Sequence, residues 1–525
     1  VMESHQRTEA PKSPELATLL VALLLSACSD GTPDASMPQA QVSIPPAMNP
    51  AVPTAGGQAP PVDSTVGVPG SDNTPEPTDV PSTMDPMISD PIDAMDPMGM
   101  DPMDPSGMDP MAMDPITMAP IEPVECPSNA PDEFEPQPSV GGGGSQFTDS
   151  AHFRIYGGGS QGDIDTALNH LEAAYSCFVE TLCWRSSGLS IHDSSDSGPY
   201  SKMNIYGVGS LGGAAGQMFS DAGAGASYLR VVNSYLPAPR VTVHEYGHSL
   251  TYYEIGWIEQ TATGAWWETV ANFVADTYVA SPICAADRDR HGVAEAPSLI
   301  ELGKVIGDSH QVIVDGSAGS GNYYQAWPFL TYLTPNPDGD EGLGLTALRD
   351  MFRNHQGNNE TPLHVLERLV APVSVQTIVG RYWARMAYLD INHPRAQEAF
   401  FAQRGGLSFD NLDATGGDTY QVKSGRRPRY FGSNIIPLQG SGDVTVQVTS
   451  GAPFTATLAV RASNGSVRYS DLQNGAGQAT VAGDEEASLV VVNTPDQLIQ
   501  YDPFQINAAA AQGLDYSVQI TGATP

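Results

Sequence analysis

The chain has 525 residues and carries 60 acidic against 23 basic side chains, a formal net charge of −37. That length allows two or three domains, and so acidic a chain excludes a nucleic-acid partner, whose phosphates it would repel. The charge is uneven, because no Lys or Arg occurs between Cys28 and Phe153, and this stretch supplies roughly half of the total.

Residues 1–28 read as an export signal. Arg7 and Lys12 precede the apolar run Leu16–Leu25, which is too short to span a bilayer as a mature helix. The run ends in Leu25-Ser26-Ala27-Cys28, which resembles the bacterial lipoprotein box. The resemblance implies cleavage before Cys28, lipidation of its thiol and a place at the bacterial cell envelope, on the outer membrane or cell surface. An ordinary cleavage site in a soluble secreted protein is the alternative.

From residue 29 to 146 the chain turns to Pro, Met, Asp, Ser, Thr and Gly, with Met-Asp-Pro recurring from Met84 to Pro115. Proline removes a donor and disfavours helix at the residue before it, and repelling aspartates extend the chain. A disordered linker is expected, spanning roughly 60 Å as a coil. Its methionines offer thioethers that suit Cu(I), but their spacing follows from the repeat itself. Gly141-Gly142-Gly143-Gly144-Ser145 is expected to close the linker as a flexible hinge.

Folded sequence is expected from Phe147. Residues 152–157 and 201–207 read as strands around a helix from Ile164 to Trp184, with Leu168, Leu171, Tyr175 and Phe178 on one side. A Gly/Ala-rich loop, 209–225, leads to a third strand over 226–233. Tyr228-Leu229-Arg230 is a candidate sheet edge able to pair with an extended substrate backbone; an internal strand is the alternative.

The next stretch, Val241-Thr242-Val243-His244-Glu245-Tyr246-Gly247-His248-Ser249-Leu250, organises the rest. Histidines four apart fall on one helix face, so both imidazoles reach one cleft and can hold one Zn²⁺. Glu245 beside them can take a proton from water and pass it to a leaving amine. The flanking Val241, Val243, Leu250, Tyr252 and Tyr253 suit a buried helix, and a buried helix needs a reason to carry His, Glu and His. A catalytic zinc wants a third protein ligand and an open position. Metzincins would place a histidine six residues after the second one, where this chain has Glu254, and a glycine where it has Thr251, so that class is excluded. Gly264 to Asp276 reads as a second amphipathic helix carrying Glu268, twenty positions beyond His248.

Here the chain resembles the gluzincin metallopeptidases, the thermolysin-like class in which HExxH is followed by a glutamate ligand on the next helix. More narrowly, His-Glu-Tyr-Gly-His followed by Trp-Trp-Glu-Thr-Val-Ala-Asn resembles secreted bacterial and fungal proteins related to Svx/AvrXca-type virulence metalloproteases. The resemblance implies His244, His248 and Glu268 as zinc ligands and Glu245 as catalytic base. Many gluzincins orient the first histidine with an aspartate four residues after the ligand glutamate; this chain has Asn272 there, with Asp276 as the other candidate.

Downstream, Tyr323 and Tyr324 stand where gluzincins supply a hydrogen-bond donor to the oxyanion; as helix-start aromatics they also suit a core. His355, His364 and His393 are weaker candidates that read as surface or capping residues. The loop Asn336–Gly342 has oxygen donors at alternating positions, as Ca²⁺ loops do, but lacks the bidentate glutamate. Residues 287–292 read as a turn. Helices are expected over 343–354, 362–369, 373–389 and 396–404. Beyond Gly405 short alternating runs over 443–448, 455–461, 466–469, 487–493 and 515–520 read as a β-sandwich. Cys126, Cys177, Cys183 and Cys284 fit two disulfides, with three possible pairings. Cys177 can pair with Cys183 only if the helix ends between them.

The expected fold class is therefore α+β: a zincin-like catalytic domain over 147–417, with a mixed sheet and active-site helices, then an all-β sandwich over 418–525. The expected function is zinc-dependent hydrolysis of peptide bonds by a monomer that acts on protein or peptide and meets the membrane only through its lipid. A zinc hydrolase of glycans or glycoproteins is one alternative. A surface-binding lipoprotein with a vestigial metal site is another, and the presence of Glu245 argues against it.

Overall fold

The computed structural model describes residues 126, 130–254, 257, 260–357 and 359–525. The export segment, Cys28 and the Met-Asp-Pro repeats lie outside them. Packed chain begins upstream of the expected start at Phe147. Phe134 is buried and meets His152 and Tyr175 edge-to-face, with ring centroids 4.6 and 5.9 Å away. The glycine run is a strap laid on the sheet. Tyr206 donates its hydroxyl to the Val140 carbonyl at 2.6 Å and accepts the Gly143 N–H at 2.9 Å. A Cβ on Gly141 would stand 2.5 Å from the Tyr206 ring, so the missing side chains that suggested a hinge instead permit close contact.

The first sheet has strands β1 (Phe147–Asp149), β2 (Phe153–Tyr156), β3 (Met203–Val208), β4 (Gly216–Asp221) and β5 (Ala226–Val232), in the order β1-β2-β3-β5-β4. β2, β3 and β5 run parallel, and β1 and β4 pair antiparallel at the two edges. This corrects two expectations. The Gly/Ala-rich loop contains β4, and β4 is the edge, whereas Tyr228-Leu229-Arg230 lies on the internal strand β5. Pairing on both sides of β5 buries Ser227, Leu229 and Val231.

Helix α1 (Gln161–Tyr175) starts at Ser160, whose Oγ accepts the Asp163 N–H, and passes into a π-helical turn over Ser176–Thr181. The regular helix thus ends before Trp184. That break separates Cys177 from Cys183, which bond to different partners: Cys126 with Cys183 and Cys177 with Cys284. Next come α2 (Pro239–Glu254), α3 (Gln260–Thr263), α4 (Trp266–Ala280), α5 (Ala285–Arg290) and α6 (Leu302–Val305). The segment read as a turn over 287–292 is mostly the helix α5. Then follow α7 (Trp327–Leu333), α8 (Ala347–Arg353), α9 (Pro362–Leu369), α10 (Val375–Met386) and α11 (Pro394–Gln403).

Two further sheets face each other. One orders β11 (Val467–Asp471), β10 (Phe454–Arg461), β13 (Glu486–Asn493) and β8 (Ser433–Leu438). The other orders β12 (Ala476–Val481), β9 (Gly442–Ser450), β14 (Tyr516–Thr521), β7 (Thr419–Val422) and β6 (Leu412–Gly416). The short α12 (Ala508–Ala511) precedes β14. β9 alternates, with Val444, Val446 and Val448 inward and its polar residues in water. β13 instead buries the whole run Ala487–Val492, because its sheet is covered on both faces. One cover is the partner sheet and the other is the helical layer. Trp383 of α10 donates Nε1–H to the Phe431 carbonyl at 2.8 Å, and the Tyr469 hydroxyl meets Asp390 at 2.8 Å. Among the described residues the chain is thus mixed α and β with three sheets, and the sandwich is built into the helical layer.

Candidate metal centre

Every residue of α2 from Val241 to Glu254 is buried. Val243, Tyr246 and Leu250, at helical spacing, are fully inside the core, and His244 and His248 leave the helix on another side. Their rings stand nearly perpendicular with centroids 4.9 Å apart. α4 packs beside α2, and its first turn carries Glu268. Gly247 sets the spacing of the pair, since a Cβ there would lie 2.9 Å from Ala271 Cα and 3.1 Å from Val274 Cβ. Backbone against backbone brings the carboxylate of one helix to the imidazoles of the other.

Glu268 Oε2 lies 3.3 Å from His244 Nε2 and 3.5 Å from His248 Nε2. Ligand atoms held about 2.0–2.1 Å from a tetrahedral zinc lie about 3.3–3.4 Å from one another, so this spacing suits a shared cation. The three donors fall within 4.8 Å of one another and are buried, a group that could hold a metal ion. Glu268 Oε2 makes no well-formed hydrogen bond and meets only the two imidazoles, so with both rings neutral, as metal ligation requires, this buried carboxylate oxygen is in an expensive state unless another cation meets it. Burial would raise the Glu268 carboxyl, but the adjacent His248 and His244 hold it down at about 2. Burial would likewise depress His244, yet Glu268, Glu245 and Asn272 lift it to about 9. The pocket therefore draws positive charge to this point.

Asn272 lies one helical turn beyond Glu268 and shares its face. Its Oδ1 accepts from His244 Nδ1 at 2.9 Å, which leaves the Nε2 lone pair aimed at the donor group. Its Nδ2 donates to the Tyr324 carbonyl at 2.7 Å, and Thr269 Oγ1 donates to the Tyr323 carbonyl at 2.6 Å. Both tyrosines are thereby fastened to the ligand helix, their ring centroids 4.3 Å apart. Burial raises the Tyr323 hydroxyl above its usual value, Tyr324 opposes this, and the Glu268 charge adds to it. Asp276 does not serve the histidines. Its Oδ2 meets His393 Nε2 at 2.7 Å and its Oδ1 accepts from Ser298 Oγ at 2.8 Å. One further turn along α4, Asp276 instead holds His393, the residue that caps α11.

Glu245 is buried beneath the edge strand β4. A Cβ on Gly216 would come within 2.6 Å of Glu245 Cγ. Burial raises its carboxyl, His244 and His248 lower it, and the net direction is upward. Gly216 and Gly247 both belong to the site's construction, and neither carries a side chain that would announce it. Glu254, at the position a metzincin histidine would take, accepts the Arg185 N–H at 2.5 Å and Arg353 Nε at 2.8 Å and so closes the end of α2. The Asn336–Gly342 loop has two of its three carboxylates engaged by guanidinium groups, Asp338 by Arg385 and Asp340 by Arg381. His364 caps α9, and His355 Nε2 meets the Glu360 carbonyl. Among the described residues no helix is long and apolar enough to cross a membrane.

No curated protein matches the chain. Among solved structures, a glycoside hydrolase family 44 endoglucanase produced by Clostridium acetobutylium ATCC 824 is similar at 9% identity over 57% of this chain and 68% of that one. Its TM-score of 0.12 carries no argument about fold or activity. Residues 158–525, which include the donor group and both sheets of the sandwich, match a family of unknown function, DUF6055. The chain belongs to that family.

Proposed function

We propose that this chain is a zinc-dependent metallopeptidase of the gluzincin type, with a zincin-like catalytic unit, exported and held at the bacterial envelope by a lipid on Cys28. It acts as a monomer on protein or peptide. The observation that carries the reading is the unpartnered, buried Oε2 of Glu268 at 3.3 and 3.5 Å from two imidazole nitrogens, with Glu245 alongside.

His244, His248 and Glu268 would hold the ion, and zinc, when bound, supplies Lewis acidity toward a carbonyl and toward water. Glu245 takes a proton from the attacking water on its carboxylate and delivers it to the leaving amine. Asn272 keeps the His244 ring in the orientation and tautomer that present Nε2. Tyr323 or Tyr324 offers a hydroxyl to the oxyanion. β4, the edge strand above Glu245, has no strand among the described residues on its outer side, and pairing of an extended peptide there favours an amide backbone over a glycan.

The test joins metal analysis with digestion of casein and of a glycoprotein panel. One zinc per chain and chelator-sensitive casein cleavage are expected. Glu245→Gln is expected to keep the zinc and lose about 10²- to 10⁴-fold in rate. A wild type that holds zinc yet cuts neither panel ends the enzyme reading, and cleavage confined to glycans gives the site to the rival substrate class.

A further inference from the structure

A single apolar side chain in water is ordinary, and it becomes informative only through its neighbours. Among the described residues Phe147, Tyr235 and Phe504 are the large exposed ones, with Phe504 44% exposed. Phe147 has a partner in the Arg154 guanidinium, 3.7 Å above its ring. Phe504 stands elsewhere, beside Tyr323, whose backbone is bonded to the helix that carries Glu268.

The turn that carries Phe504 belongs to the sandwich, between β13 and β14. Asp502 shapes it, accepting the Phe504 N–H on Oδ1 and the Gln505 N–H on its carbonyl, each at 2.9 Å. The turn is fastened to the catalytic side. Buried Tyr501 donates its hydroxyl to the Val314 carbonyl at 3.2 Å, and the Pro503 carbonyl accepts the Gly316 N–H at 2.9 Å. The same segment leads to Tyr323, whose N–H donates to the Asp315 carbonyl at 3.1 Å. A Cβ on Gly316 would lie 2.7 Å from Ala265 Cβ and 2.9 Å from Phe504 Cδ1, so Gly316 stands between the ring and the start of α4. Ala265 precedes Glu268 by three residues, about 4.5 Å of helix rise. The Phe504 ring also meets Tyr323 edge-to-face, with centroids 6.0 Å apart.

We propose that Phe504 and Tyr323 form an apolar subsite beside the metal centre that receives a bulky apolar or aromatic side chain of the peptide substrate, next to the bond cleaved. This rests on the peptidase reading and deepens it, because the sandwich becomes part of the substrate cleft. The occupant follows from the surface offered: a half-exposed ring held rigid by backbone bonds, with a second ring at its edge. Such a surface gains by covering apolar area and offers little to a charged group.

Two measurements on the zinc-loaded full chain test it. In the first, Glu245→Gln is titrated with a pair of short blocked peptides that differ only in phenylalanine against glycine at one position, placed in turn on each side of the central amide. The phenylalanine peptide is expected to bind about 10-fold more tightly at one of these positions. Phe504→Ala in the same background is expected to erase the difference and Phe504→Leu to restore most of it, with zinc content and thermal midpoint unchanged. In the second, wild type and Phe504→Ala are compared on a peptide library, where the preference for bulky apolar residues at that position is expected to collapse. Equal binding of the two peptides by the Glu245→Gln chain, or a preference that survives Phe504→Ala, overturns the subsite. If the binding preference and its loss are seen while wild type cleaves nothing, the subsite stands and the hydrolytic reading falls.

Discussion

Two places on this chain read from the sequence as candidate cation sites, and they differ in what neutralises their carboxylates. At the Asn336–Gly342 loop, Asp338 and Asp340 face Arg385 and Arg381, and Asp338 also takes the Tyr332 hydroxyl at 2.8 Å. At the α2–α4 crossing, Glu268 faces two imidazoles and keeps one buried oxygen without a hydrogen bond. A guanidinium is a permanent cation, so the charges of Asp338 and Asp340 are met without an ion even though Asp340 Oδ2, like Glu268 Oε2, is buried without a hydrogen bond. Imidazoles are conditional cations that also lend a lone pair to a metal. The nature of the partner, more than the number of carboxylates, separates a cross-link from a receptor for a cation.

The largest effect that would break this comparison comes from removing a donor. His248→Ala is expected to bring zinc from one per chain to background by elemental analysis, with no such loss for Asp338→Asn. Equal zinc in wild type and His248→Ala would make the crossing as self-sufficient as the loop. A smaller effect is expected one step out. Asn272→Ala frees the His244 ring, and competition with a fluorescent chelator should show zinc affinity lowered about 10- to 100-fold, with Asn272→Asp at or above wild type.

The loop should answer to charge and not to calcium. Arg385→Met leaves Asp338 without its main partner and is expected to cost about 1–3 kcal/mol in denaturant unfolding, and millimolar Ca²⁺ should restore none of it. The smallest effect concerns pH. Burial would raise the Asp338 carboxyl, but Arg385 holds it below the ordinary range. Its contribution is therefore complete above the unfolded-chain value, near about pH 4, and is lost as pH falls through the lower folded value. The stability gap between wild type and Arg385→Met should shrink on acidification below about pH 4; a gap that widens there would contradict the pairing.

What could be read in advance was local. His244, Glu245 and His248 share one helical face by spacing alone, and Glu268 with Asn272 repeats that logic on the next helix. The sandwich strands β9 and β13 announced themselves by alternation and by a β-branched run. β4 did not, because glycines and alanines around Gly216 conceal a six-residue strand whose register is set by β5. The internal place of β5 follows from that hidden neighbour. Segment 130–146 has the composition of a linker, but Phe134 and the disulfide between Cys126 and Cys183 fix it to residues far along the chain. Asp276 with His393 is likewise a pairing across more than a hundred residues, which periodicity cannot reveal. The placing of Phe504 near α4 depends on how the sandwich seats, a matter of tertiary packing.

The crossing at Gly247 has a mechanical corollary. Where two helices touch through main chain, no rotamer can absorb a displacement, so any shift moves both rods bodily. The main chain that carries His244, His248 and Glu268 then parts or meets together, leaving only side-chain rotation to set each donor separately. Occupancy of that point and the docking of the rods are consequently coupled, and whatever grips all three donors also clamps the first of these helices against the second.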